Sequence, residues 1–280
     1  MNNYKKFSEV LDLIEEAEAI VVGAGSGLSA ASGITYSGPR FEKLFSDFIS
    51  KYGFLDMYSA GFYPFDSLEE YWAYWSKHIY YNRYTPIAGE PYRYLLQLLE
   101  GTNYFVITTN VDHQFQKAGF DRERLFYTQG DYGLLQCSKA CHAKVYENES
   151  LIKKMVQQQA NFRIPSYLVP HCPKCGAPQA VHLRVDQFFV EDDGWHAAQK
   201  RYLTFLEENK DKKILFLELG VGYNTPVIIK YPFMKMTYQN RQARYIYFNQ
   251  EKLVIPKELE AQTIDLQGDI KETVRAIVHI

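Results

Sequence analysis

Ala19-Ile20-Val21-Val22 is an unbroken apolar run that stops at Gly23-Ala24-Gly25, and this step constrains the fold more than any other stretch of the chain. A short apolar run bounded by glycine reads as a buried strand. Before it, residues 4–17 place Phe7, Val10, Leu11 and Ile14 at helical spacing. Further short apolar runs at Tyr104–Thr108, Leu125–Thr128, Ile214–Leu219 and Tyr245–Phe248 are separated by stretches of helical pattern. This alternation predicts an α/β fold, a Rossmann-like parallel sheet with helices on both faces.

Two segments interrupt the alternation. Residues 40–84 crowd Tyr71, Trp72, Tyr74 and Trp75 into a helical pattern and read as a helical insert, and residues 131–183 hold all four cysteines. One catalytic domain over 1–280 is expected, with residues 1–39, 85–130 and 184–280 as its Rossmann-like part and both inserts packed on the sheet. There are no repeats, low-complexity tracts or long Pro/Ser linkers.

Lys and Arg number 31 against 33 Asp and Glu, a net charge of -2, so no basic field points to nucleic acid or an anionic membrane. The 23 Tyr and 18 Phe are scattered through periodic segments and not interleaved with Lys and Arg, which suits core packing and pocket lining better than base stacking. A small molecule or a protein is the expected partner. No secretory signal pattern opens the chain and no apolar run approaches the roughly 18 residues of a spanning helix, so a soluble, cytoplasmic protein is expected.

In a reducing compartment, Cys137-x3-Cys141 and Cys172-x2-Cys175 read as zinc ligands, not as disulfides. Four thiolates leave no open coordination position, so the Zn2+ is expected to be structural, its binding coupled to folding. His142 and His171 adjoin these ligands, either as substitutes for one of them or as exposed neighbours.

The stretch Gly23-Ala24-Gly25-Ser26-Gly27 leads into Leu28-Ser29-Ala30-Ala31-Ser32-Gly33, which reads as a helix start. Small residues admit a phosphate close to the backbone and the helix N-terminus favours its charge; close packing alone would also explain the glycines. Gly220-Val221-Gly222 follows a second strand, and two such loops suggest a dinucleotide. Thr108-Thr109-Asn110-Val111-Asp112 closes a third strand, putting Asn110 and Asp112 where open α/β sheets bind ligands or where a helix is capped.

In this order the motifs resemble the sirtuins. Gly23-Ala24-Gly25 and Ser32-Gly33-Ile34 match the family's GAG and SGI, Thr108–Asp112 matches TQNID, and Ala118-Gly119 follows at the family's spacing. The paired cysteines, a GTS-like loop at Gly220–Gly222, a late-strand Asn249 and the GD pair Gly268-Asp269 complete a resemblance covering nearly the whole chain. It implies NAD as substrate, bound by Gly23, Ala24, Gly25, Ser29, Ser32, Asn110, Asp112, Gln129, Gly220, Val221, Gly222, Asn249, Asp269 and Ile270, and a zinc held by Cys137, Cys141, Cys172 and Cys175.

The chain departs from the pattern at several places. The family's His-Gly, whose imidazole is the general base of deacylation, is Gln129-Gly130 here. PDFR is replaced by Thr35-Tyr36-Ser37-Gly38, the Gln of TQNID by Thr109, two extra residues (Ser26-Gly27) enter the first loop, and the FGE strand is represented by Phe188-Phe189-Val190-Glu191. An amide holds a substrate by hydrogen bonds but moves no proton near neutral pH.

Gln in place of that His is similar to the macrodomain-linked bacterial sirtuins of class M. The resemblance implies a protein mono-ADP-ribosyltransferase acting on a lipoyl-carrier protein related to the glycine-cleavage H protein, with a macrodomain hydrolase reversing the mark. Asn110, Gln129 and Arg184 are then the expected catalytic residues, Asn110 orienting the nicotinamide ribose and Arg184 receiving a carboxylate acceptor or pairing with Asp186 or Glu191 at the module's edge. A sirtuin deacylase that uses another base, and a non-catalytic NAD-binding sensor, are the alternatives.

Overall fold

The computed structural model describes residues 3–223 and 226–280. Six parallel strands build the main sheet: β1 (Ala19–Ala24), β2 (Tyr104–Thr108), β3 (Leu125–Tyr127), β7 (Ile214–Leu219), β8 (Arg244–Asn249) and β9 (Thr263–Gln267). They lie in the order β3-β2-β1-β7-β8-β9, so the chain reverses its direction of winding between β1 and β7. At such a switch point the strand ends leave a crevice in which open α/β sheets bind ligands. The five anticipated runs are all strands. The sixth, β9, escapes a pattern reading because Thr263, Ile264 and Asp265 at the sheet edge are only half-buried and give no continuous apolar run.

Helices cover both faces. α1 (Asn3–Glu16), α2 (Ser26–Ala31), α6 (Glu90–Leu98), α7 (Gln114–Lys117) and α11 (Ile270–Val278) lie with one face, where Val22, Leu28, Leu95, Phe115, Val106 and Ile277 share a core. α9 (Asp193–Asn209) and α10 (Lys230–Gln239) cover the other through Trp195, Tyr202, Phe233, Phe216 and Tyr245. Among the described residues no helix is long and apolar enough to cross a membrane.

The insert supplies α3 (Pro39–Tyr52), α4 (Met57–Ala60), α5 (Leu68–Ile79) and a π-helical turn, Tyr80–Tyr84. The cysteine module supplies a three-stranded antiparallel sheet of β5 (Tyr146–Glu147), β4 (Gly130–Cys137) and β6 (Gln179–Leu183), with α8 (Glu149–Gln158). Both segments are expected from the sequence to pack on the main sheet, but they share a core with each other. Phe41, Phe45, Phe48, Trp72 and Tyr74 of the insert share one core with Tyr132, Leu135, Ile152, Met155 and Val181 of the module. The physical reason is supply: each segment is too small to bury its aromatic face alone, and the main sheet is already covered by its own helices.

Candidate functional site

At the switch point the two glycine loops touch backbone to backbone. Gly25 N donates to Leu219 O at 3.0 Å and Gly27 N to Gly220 O at 2.9 Å. A Cβ on Gly25 would lie 2.7 Å from Gly220 O, and Gly220 sits at φ +62 with Leu28 N only 2.4 Å from where its own Cβ would be. The loops therefore face each other with room for backbone only. Gly23 and Ala24 are inside β1. Gly23 makes its close approach to Ile229 and Phe233, so its small size serves helix packing. Val221 is buried beneath the second loop and Gly222 is exposed.

The end of β2 carries Asn110 and Asp112 into the same crevice. Asn110 Nδ2 donates to Gly25 O at 2.9 Å and to the Tyr92 hydroxyl at 3.2 Å, and its Oδ1 has no partner among the described residues. Asp112 is buried, accepting from Ser29 Oγ at 2.5 Å and from Gln114 N at 3.2 Å. Burial pushes its carboxyl above the usual range, and the bonds from Ser29 and Gln114 only partly offset that. Ser29 also meets the Tyr92 hydroxyl at 3.0 Å, so one buried network joins α2, α6 and the end of β2. Tyr92 was not singled out from the sequence: it reads as an ordinary core position of an amphipathic helix. Ser32 turns inward at the end of α2, its Oγ donating to Leu28 O at 3.1 Å.

Gln129 follows β3, whose end is fastened to β2 by Thr128 N donating to Thr108 O at 2.9 Å and capped from below by Trp195 Nε1 donating to Thr128 O at 3.2 Å. The Gln129 side chain is half-buried, and its Nε2 lies 3.5 Å from Thr128 Oγ1, the limit of a hydrogen bond. Among the described residues no other group engages its amide, which is available to hold a ligand. Gly130 has φ +96 and a Cβ there would lie 2.0 Å from His182 O, so the residue after Gln129 has to be glycine for β4 to pair with β6.

Arg184 returns beside Gln129 through Arg184 N donating to Gln129 O at 3.0 Å. Its guanidinium lies over Phe189 at 4.2 Å and Trp195 at 5.2 Å from the ring centres and pairs with Glu191 at 2.6 Å. The pairing is the ion pair with Glu191 that the sequence offered as an alternative, and it holds the guanidinium over the two rings. Residues 188–191 form no strand; the Gln136 amide brackets them instead, donating to Phe188 O at 2.8 Å and accepting from Val190 N at 3.0 Å.

On the far side of the second loop, Asn249 Nδ2 donates to Val221 O at 3.3 Å. Asp269 caps α11 by accepting from Glu272 N at 2.9 Å, and Ile270 is buried in the core beneath that helix. A cleft of about 1090 Å³ adjoins the network, lined by Ser32, Gly33, Thr35, Arg40, Gln250 and Asp269 among others. Ser32 and Asp269 alone of the anticipated nucleotide residues reach it; Asn110, Asp112 and Gln129 gather at the strand ends.

The four cysteine sulfurs lie within 4.8 Å of one another, with Cys137 and Cys175 at 3.5 Å and Cys141 and Cys172 at 3.6 Å. Zn–S bonds of about 2.3 Å in a tetrahedron place sulfurs roughly 3.8 Å apart, so the cluster fits a zinc ion. Burial alone would raise the Cys137 thiol, but N–H groups of Cys141 and Lys139 aimed at its sulfur hold it at about 6. His142 Nε2 stands 3.9 Å from Cys172 Sγ and 2.9 Å from the Tyr146 hydroxyl, a neighbour of the cluster and not a fifth member.

No protein-family model matches the chain. A protein ADP-ribosyltransferase from Staphylococcus aureus (strain Mu50 / ATCC 700699) is 45% identical over 272 residues, which span 96% of this chain and 86% of that one. A probable bifunctional ADP-ribose hydrolase/ADP-ribosyltransferase from Fusarium oxysporum f. sp. cubense is 31% identical over 234 residues, 78% of this chain but 38% of the relative's length. Among solved structures, Sir2Tm bound to a propionylated peptide superposes with a TM-score of 0.62 at 20% identity, over 98% of both chains. A Sir2 with a p53 peptide and NAD+ superposes with a TM-score of 0.59 at 20% identity, over 98% of this chain and 97% of that one. These structures establish a Sir2 fold, and by its likeness to the Staphylococcus aureus enzyme the chain belongs to that protein ADP-ribosyltransferase family.

Proposed function

We propose that the chain is an NAD-dependent protein mono-ADP-ribosyltransferase of the macrodomain-linked class M type. Its acceptor is a lipoylated, glycine-cleavage H-like carrier protein, and a macrodomain hydrolase removes the mark. The observation that carries the reading is Gln129: an uncommitted amide, without a titratable group, beside the strand end that bears Asn110 and Asp112.

In the reaction the bond between nicotinamide and the ribose of NAD breaks and nicotinamide leaves with the bonding pair. An acceptor heteroatom bonds to the ribose carbon and gives up its proton. Deacylation needs in addition a base for a ribose hydroxyl, a contribution of about 10²–10⁴ in rate, and Gln129 is no base. Transfer asks for positioning and a nucleophilic acceptor. Asn110 Oδ1 is free to hold a ribose hydroxyl, Gln129 holds a second hydroxyl or the acceptor, and Asp112 meets the nicotinamide carboxamide. We assign the pyrophosphate to the outer surface of the paired Gly25 and Gly220 loops, whose mutual contact leaves no room between them.

The names of both curated relatives support the transfer, and that of the second joins transferase and ADP-ribose hydrolase in one protein. The carrier and the macrodomain rest on the class M resemblance. Labelled NAD is offered with the carrier, with and without lipoate, and with an acylated peptide. Label on the lipoylated carrier that disappears in Asn110→Ala supports the proposal, whereas O-acyl-ADP-ribose released from the peptide overturns it in favour of deacylation. Saturable NAD binding without nicotinamide release overturns it in favour of a sensor.

A further inference from the structure

His113 is one of four non-glycine residues at positive φ among the described residues, at φ +67, and it directly follows Asp112. Its Nδ1 lies 2.6 Å from Asp131 Oδ2, and Asp131 is two residues beyond Gln129. The other carboxylate oxygen, Oδ1, accepts from Arg83 Nε at 2.9 Å and from Gly133 N at 2.6 Å. Arg83 comes from the π-helical turn, a rare backbone form that recurs at functional sites. Two uncommon conformations thus converge on one buried carboxylate. Left-handed backbone at a non-glycine residue is retained where its surroundings hold it there.

We propose that the His113–Asp131–Arg83 clamp is a positioning device for the transfer reaction: it locks the Asn110–Asp112 strand end to the Gln129 loop through the insert, so that the three side chains keep one mutual geometry. The proposal rests on the function above, since it assigns the clamp's effect to that site. Parallel backbone bonds mark the same seam, with Tyr132 N donating to Val111 O at 3.0 Å and Thr128 N to Thr108 O at 2.9 Å. Those bonds tie the backbones, while the clamp fixes the turn of the chain just past Asp112. Lys117 joins through its Nζ, which donates to the carbonyls of Arg83 and Pro86, tying α7 to the same turn.

Substitutions at His113 separate the hydrogen bond from the backbone strain. Glycine accepts positive φ freely but has no donor, whereas asparagine tolerates it and can offer an amide N–H to Asp131. With His113→Gly, amide hydrogen exchange rises together at Asn110–Asp112 and at Gln129–Tyr132, nicotinamide release falls about tenfold or more in kcat, and KM for NAD changes less than about threefold. With His113→Asn, exchange and kcat return to near the wild-type values. Should His113→Gly leave exchange at both segments unchanged, or should His113→Asn behave like His113→Gly, the clamp is overturned. Should the wild-type chain release no nicotinamide with any acceptor, the proposed function fails, and the exchange comparison alone then decides the clamp.

Discussion

Ser29 donates its hydroxyl to Asp112 at 2.5 Å from the helix that follows the first glycine loop, so the nucleotide-type loop and the polar strand end share one buried hydrogen bond. This bond ties the position of a carboxylate to that of a phosphate-type loop. It also sets the first expected consequence.

Burial raises the folded-state pKa of Asp112 above its ordinary value, so the native state binds a proton more tightly there than the unfolded chain does. Stability from this group is present at low pH and is lost as pH rises through the window above the ordinary carboxylate value. Asp131 behaves in the opposite sense: burial would raise it, but the His113 and Arg83 contacts outweigh that and hold it low. Its contribution is present above the ordinary value and is lost as pH falls below about 4. Between about pH 2 and neutrality, Asp112→Asn should therefore gain stability relative to wild type as pH rises above about 4, whereas Asp131→Asn should lose it as pH rises towards about 4 from below. Denaturant midpoints measured across that range check both signs.

The glycine loops make a sharper steric forecast. Gly25→Ala puts a Cβ 2.7 Å from Gly220 O, a backbone atom that cannot rotate away, while a Cβ on Gly222 meets nothing within 4 Å among the described residues. Gly25→Ala should lose about 2 kcal/mol or more of stability and most NAD affinity. Gly222→Ala should stay within about 0.5 kcal/mol. Thermal unfolding and calorimetric NAD titration separate the two.

The cysteine cluster predicts one zinc per chain by elemental analysis. Removal with a strong chelator, or Cys137→Ser, should loosen β4 and β6 and propagate into the aromatic core that the module shares with the insert. Near-ultraviolet circular dichroism reports that core through Trp72, Tyr74 and Tyr132. A near-ultraviolet spectrum unchanged by zinc removal would contradict the shared-core account.

Arg184 pairs with Glu191 while one-third exposed, and such a pair contributes about 1 kcal/mol or less. Arg184→Ala should accordingly change stability little yet lower ADP-ribose transfer about tenfold or more. Arg184→Lys should not restore it, because an ammonium does not reproduce a planar guanidinium lying over Phe189 and Trp195. Equal losses of transfer and stability in Arg184→Ala would make the residue structural only.

The chain's own pattern determined the parallel sheet, the helical insert, the cysteine cluster and the glycine loops, because each is written in local spacing: apolar runs, turn residues and paired ligands. Asn110, Asp112 and Gln129 were legible because they stand just after strands, where a parallel sheet presents side chains to a ligand. Tertiary structure alone decided that the insert and the cysteine module pool one core, that Tyr92 closes the Ser29–Asp112 network, and that Arg83 and His113 meet on Asp131. The hydrogen-bonded partners lie between 18 and 83 residues apart in the chain, from His113–Asp131 to Ser29–Asp112. Periodicity reports which face of an element is buried, whereas a buried carboxylate takes whichever donors folding brings within reach, and that choice is made only when the elements pack.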